Sequence, residues 1–294
     1  MKKDYINVNG IPSYVLKIGE VEECSPAVLV IPGNPGVGEF YIDFMKELTR
    51  SSEGKLPVWC VSHAGHVTLP AQHAGDTYWE KYSLKQQIQH KISFIENHIP
   101  KGTKLFLIGH SIGAYMVLHL LEYFGTDKIV QCYMMFPTVE RLGQSPGGRK
   151  LSPVVKFHWL IPYFAYFTHY LPSWLKHKLV SWYERKNKLS ESAKMACLHI
   201  FDPSVVRNML YMANIEFQHV NEADHHIIEK FQDKLIFYYG ETDHYTPIHY
   251  YEGMRDRYPN MKVHLDQRGT DHAFVLQHSE PMAEMVWKWI SSHI

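Results

Sequence analysis

Short apolar runs alternate with amphipathic stretches along most of this chain. Residues 27–31, 56–63, 103–108 and 129–136 are compact apolar runs bounded by turn residues, and 234–240 and 261–266 repeat the pattern further on. Each reads as a strand. Between them, apolar positions recur every three to four residues. Ser83 with Gln86 makes a capping box ahead of Leu84, Ile88, Ile92, Ile95 and Ile99, which predicts one amphipathic helix. A second helix pattern runs from Ala114 to Phe124, and a third opens at Pro247. The last spans roughly 280–293, with Met282, Met285, Val286, Trp289 and Ile290 inward. Residues 5–17 predict a hairpin around Asn9-Gly10. Strands and helices in alternation predict an α/β fold, a mostly parallel sheet with helices on both faces.

The rhythm breaks between residues 138 and 230, where no strand pattern appears and the sequence is helical and rich in aromatics. The chain therefore reads as a single domain, 1–294, carrying a helical cap or lid insertion over 138–230. Within the insertion, residues 151–175 carry one charged side chain, Lys156, with the histidines neutral. Pro153, Pro162 and Pro172 divide this segment into two short apolar pieces. Two pieces of about ten residues are too short to cross a hydrocarbon core of roughly 30 Å. Their Trp, Tyr and His content suits a lipid interface instead. An aromatic cover over a buried site fits the same composition.

Composition narrows the picture. The 294 residues include 30 Lys and Arg against 30 Asp and Glu, so net charge is zero with histidine neutral. Nucleic acid, which calls for a basic face, is not an expected partner. Cys24, Cys60, Cys132 and Cys197 show no C-x-x-C spacing. Cys60 and Cys132 lie in apolar runs and read as reduced core thiols of a cytosolic-facing protein. The first residues lack the apolar run of a signal peptide.

The most informative stretch is Leu-Phe-Leu-Ile-Gly-His-Ser-Ile-Gly at 105–113. An apolar strand runs into G-x-S-x-G and then into a helix pattern, which is the context of a nucleophile elbow at Ser111. An activated serine needs a base and a group that orients the base, in the order Ser, acid, His along this architecture. Asp243 follows the strand at 234–240, and His272 follows the strand at 261–266. Both fall past the carboxyl ends of strands, where open α/β sheets build their sites. Asp266, Asp271 and Glu241 compete for the acidic role. Asp266 belongs to the strand end and Asp271 sits beside His272, so Asp243 is the better placed.

For the oxyanion hole, Ile112 supplies one backbone N–H by position. The second is expected from the glycine-rich turn at 32–38, where Asn34 is the donor because Pro35 has no N–H. No Lys-Ser/Thr pair follows these glycines, so a phosphate-cradling loop is not expected. His63 with His66, and His225 with His226, each offer two ligands, short of the three a catalytic zinc takes. No metal or cofactor is expected, and His63 and His66 read as residues that pack locally or line the pocket mouth.

Longer strings say more than the elbow. Ile31 to Gly36 (Ile-Pro-Gly-Asn-Pro-Gly), Ser62 to His66 (Ser-His-Ala-Gly-His), Phe136 to Arg141 (Phe-Pro-Thr-Val-Glu-Arg) and Ser145 to Arg149 (Ser-Pro-Gly-Gly-Arg) lie along the chain. With Phe237 to Gly240 and Asp271 to Phe274, they resemble the lipid droplet-associated hydrolase family. The resemblance implies the α/β-hydrolase fold and a serine hydrolase triad on Ser111, Asp243 and His272. It implies sterol or other lipid esters as substrates. It also implies association with lipid droplets and the endoplasmic reticulum, on the cytosolic face, through a hydrophobic segment for which 151–175 is the candidate. Two rival functions share these features: a droplet-surface protein with a vestigial site, and an acyltransferase that uses the same triad with an alcohol acceptor.

Overall fold

The computed structural model describes residues 1–74, 79–187 and 189–294. Among these, the strands are β1 (Lys2–Val8), β2 (Ile11–Ile18), β3 (Pro26–Ile31), β4 (Val58–Val61), β5 (Lys104–His110), β6 (Ile129–Met135), β7 (Leu235–Gly240) and β8 (Lys262–Asp266). The first six helices are α1 (Ile42–Ser51), α2 (Ala71–Ala74), α3 (Leu84–His98), α4 (Ile112–Lys128), α5 (Pro146–Lys156) and α6 (Ile161–His169). The others are α7 (Ser173–Asn187), α8 (Glu191–Leu198), α9 (Pro203–His219), α10 (His225–Lys230), α11 (Ile248–Arg257) and α12 (Ser279–Ile290).

The strands form one sheet in the order β1-β2-β4-β3-β5-β6-β7-β8. From β4 to β8 neighbours are parallel, and only the β1–β2 and β2–β4 pairs are antiparallel. The β1–β2 hairpin turns on Asn9 and Gly10, whose φ values of 50° and 85° suit the twist of a two-residue turn.

The parallel strands lack an obvious alternation because both faces are covered. Period two survives beneath the uniform apolarity. Leu105 and Leu107 of β5 face one core layer with α3, α4 and α11, while Phe106 and Ile108 face the other with α1 and α12. Cys132 and Met134 against Tyr133 and Met135 repeat that division in β6.

Several boundaries differ from the expectations. β4 occupies only Val58–Val61 of the run at 56–63, because Pro57 cannot donate to a ladder and instead accepts from Val28 N–H through its carbonyl. Helix α4 starts at Ile112, immediately after Ser111; its backbone leaves helical geometry at Gly125 (φ 67°, ψ −175°), just past the expected end at Phe124, and the range to Lys128 spans that kink. In α12, Met282, Val286 and Ile290 are buried, whereas Met285 and Trp289 pack half-exposed at the flank. Trp289 lies parallel to Tyr133 at a 5° interplanar angle.

Between β6 and β7 the described residues form helices α5 to α10 and no strand. Pro162 sits in the first turn of α6 and Pro172 just before α7, where a ring that cannot donate is harmless. Pro153 does not break the chain as expected. It lies inside α5, which closes within its next turn at Lys156. Among the described residues, no helix is long and apolar enough to cross a membrane.

Candidate active site

Ser111 sits between β5 and α4 with φ 54° and ψ −124°, a conformation rare for a residue with a side chain. Two neighbours make the turn feasible. A Cβ on Gly109 would meet Gly113 O at 2.7 Å, and one on Gly113 would meet Ile31 O at 2.2 Å. The strained residue is tied at both ends: Ser111 N–H donates to Met135 O (3.0 Å) and Thr138 N–H donates to Ser111 O (3.2 Å).

The structure brings the three expected side chains together. His272 Nε2 lies 2.9 Å from Ser111 Oγ, and His272 Nδ1 lies 2.6 Å from Asp243 Oδ2. Asp243 is buried and held by its own loop. Its Oδ1 accepts the Tyr245 and Thr246 N–H groups, and its Oδ2 accepts the Thr246 hydroxyl (2.7 Å). Burial pushes this carboxyl up, but His272, Thr246 and the Tyr245 amide outweigh burial and hold it down at about 2. An ionised Asp243 only accepts, so the imidazole carries its proton on Nδ1 and offers Nε2 to the Ser111 hydroxyl. That arrangement can withdraw a proton from Ser111 and hold it as imidazolium. The competing acids lie elsewhere. Asp266 is buried but engaged by Tyr238, Arg268 and Thr270, and Glu241 and Asp271 are exposed.

Ser111, His272 and Asn34 line one small cavity of about 120 Å³. Gly33 N–H is already used, donating to Tyr41 Oη (2.8 Å). Asn34 N–H has no acceptor within the described protein. Ile112 N–H, opening α4, has none within its helix. The Asn34 side chain is pinned from the insertion: Nδ2 donates to Met209 O and to Glu216 Oε1, both at 3.0 Å. Burial pushes the Glu216 carboxyl up to about 7, against the pull of Asn34.

A second network was not legible in the sequence. His110 Nε2 donates to the backbone carbonyl of His272 (2.8 Å), which fixes the tautomer. Its Nδ1 therefore accepts from the Tyr41 hydroxyl at 2.6 Å. Burial and the neighbouring His272 push His110 down to about 3, so it stays neutral. Tyr41 and His110 thus join the Gly33 turn, the elbow and the His272 loop. The sequence offered one signal, the histidine inside G-x-S-x-G, and nothing that paired it with Tyr41.

The other histidine pairs serve local packing. His63 and His66 are buried, with His66 Nδ1 accepting from Gly36 N–H at 3.0 Å, and neither lines the Ser111 cavity. His225 Nδ1 is paired with the Tyr258 hydroxyl. Glu47, Glu280 and Glu284 form the one donor cluster of metal-binding size among the described residues. Arg50 already pairs with Glu47 (2.6 Å) and Glu284 (3.7 Å) there.

Comparison with known proteins agrees across the chain. The family model described as lipid-droplet associated hydrolase matches residues 24–275. A lipid droplet-associated hydrolase of Drosophila melanogaster is 38% identical over 100% of this chain and 99% of its own. One of Rattus norvegicus is 33% identical over 99% of this chain and 95% of its own. Among solved structures, a bromoperoxidase from Bacillus anthracis superposes with a TM-score of 0.64 at 17% identity, covering 99% of this chain and 100% of that one. At that identity the likeness shows the fold alone, and the fold is that of the α/β-hydrolases.

Proposed function

Because the chain belongs to the lipid droplet-associated hydrolase family, and is a hydrolase, we propose that it cleaves lipid esters, sterol esters among them, through Ser111, His272 and Asp243. One observation carries the reading: the continuous chain Ser111–His272–Asp243, with contacts of 2.9 and 2.6 Å. In this mechanism Ser111 Oγ attacks the ester carbonyl as His272 Nε2 takes its proton. Asp243 holds the ring in the reacting tautomer and stabilises the imidazolium. The amides of Ile112 and Asn34 hold the tetrahedral oxyanion. His272 returns the proton to the leaving alcohol, and water then repeats the cycle on the acyl-enzyme.

The location we propose is the cytosolic face of lipid droplets and of the endoplasmic reticulum. Its support is the outer surface of α6 and α7. Tyr163, Phe164, Phe167, Trp174 and Trp182 project there, each more than 60% exposed. Large aromatics left exposed in such number mark an interaction site, and Trp and Tyr suit an interfacial depth.

Labelling of the purified protein by a fluorophosphonate tests the chemistry. Stoichiometric labelling, lost in Ser111→Ala and His272→Ala, is the expected result. A folded protein that resists the probe in the presence of lipid would defeat the reading. That outcome would favour a second one, a droplet-surface protein whose aromatic face works without turnover, which the exposure of α6 favours independently.

A further inference from the structure

The cavity at Ser111 is too small for a lipid. A water's share of liquid volume is about 30 Å³ and a methylene is similar in size. The 120 Å³ at Ser111 takes the ester group and very little chain. A second cavity of about 320 Å³ lies beside it, and Phe40 and Leu276 line both. Leu179 and Val180 of α7, with Cys197 and Ile200, form its far walls, and no charged side chain lines it among the described residues. Leu179 and Ile200 are themselves 43% and 41% exposed, so this cavity opens at the surface of the insertion, on the helix that carries Trp174 and Trp182.

We infer that the two cavities join across Phe40 and Leu276 into the acyl-chain site: a fatty ester with its carbonyl at Ser111 lays its acyl chain past these two side chains and along α7. The inference rests on Ser111 as nucleophile and adds the side of the ester that is recognised. At about 30 Å³ per group, the outer cavity accepts roughly ten methylenes, so medium-chain and longer acyl groups fill it. The alcohol leaves on the other side, away from these walls. Each methylene seated in an apolar groove adds up to about fourfold to transition-state binding, and the gain stops when the groove is full.

Two ester series separate the possibilities: p-nitrophenyl esters with acyl chains from acetate to palmitate, and acetates of alcohols of rising length. The expected result is a kcat/KM that rises along the acyl series to a plateau near decanoate and stays flat along the alcohol series. Leu179→Trp and Ile200→Trp, which fill the outer groove from different elements, each lower the decanoate-to-acetate ratio tenfold or more. A second measurement needs no turnover. In Cys24→Ser protein, decanoic acid slows alkylation of the half-buried Cys197 thiol at least fivefold, and acetic acid does not. A rise that follows the alcohol, or an unchanged ratio in both variants together with an unprotected Cys197, overturns the groove. Failure of the parent to cleave any ester or to take a fluorophosphonate sinks the nucleophile instead. Protection of Cys197 by decanoic acid would then still uphold the chain site.

Discussion

Strand β5 and helix α6 are both built from apolar residues, and they spend them in opposite directions. In β5 every residue after Lys104 is buried. In α6 only Pro162 and Ala165 are, and Tyr163, Phe164, Tyr166 and Phe167 face outward. The sheet meets its partners within the chain, since helices cover both of its faces. The insertion leaves apolar area uncovered by the described chain. The same residue types are thus covered in one region and bare in the other, and residue type alone does not say which will be which.

The sharpest way to break the comparison is to remove the chemistry and keep the surface. Ser111→Ala is expected to lower ester turnover by about ten-thousandfold or more. Co-flotation with phosphatidylcholine-coated triolein droplets should be unchanged, so loss of binding would show that the two regions are not separate. The converse variant replaces Phe164, Phe167, Trp174 and Trp182 with serine. Burying each of these aromatics in lipid is worth about 1.5–3 kcal/mol. Droplet binding should therefore fall a thousandfold or more, while fluorophosphonate labelling in solution persists. Binding that survives would move the lipid contact to another face.

Smaller effects probe where the regions meet. Glu216 belongs to the insertion and holds the Asn34 side chain. Its folded pKa of about 7 lies above the ordinary 4.5, so the folded state binds more protons than the unfolded one between those values. Stability from this group is present at low pH and is lost as pH rises through 7, by at most about 3 kcal/mol. Glu216→Gln should flatten the fall in Tm between pH 5 and pH 8, and an identical slope in both proteins would refute the assignment. Least in size is Tyr41→Phe, which leaves Gly33 N–H and His110 Nδ1 without their partner. About tenfold in kcat is expected, with the His272 loop loosened in hydrogen exchange. Unchanged kcat and exchange would make that network incidental to the site.

The sequence carried the sheet well, because strand runs, the Asn9-Gly10 turn and the Ser83–Gln86 capping box are local signals. That capping box forms as expected, with the Ser83 and Gln86 side chains and backbones bonded reciprocally. Ser111, Asp243 and His272 were locatable because each follows a strand end. Tyr41 with His110, and Asn34 with Glu216, were not. Those pairs meet across 69 and 182 residues of chain, and no periodicity records such a meeting. The proline reading erred at Pro153 for a related reason. A breaker near the end of a helix forfeits little hydrogen bonding, and only the structure shows how near the end it is.

One helix of fifteen residues, α7, carries outward tryptophans and also walls the apolar cavity that neighbours the one at Ser111. On the proposed function, a molecule held at a droplet by that helix would ride its substrate as a boat rides water, drawing from the film beneath its keel. Its throughput then follows the area of the film, and the volume of oil below is irrelevant. The same mass of lipid divided into many small droplets would be worked faster than in one large one, and each droplet would be worked more slowly as it shrank.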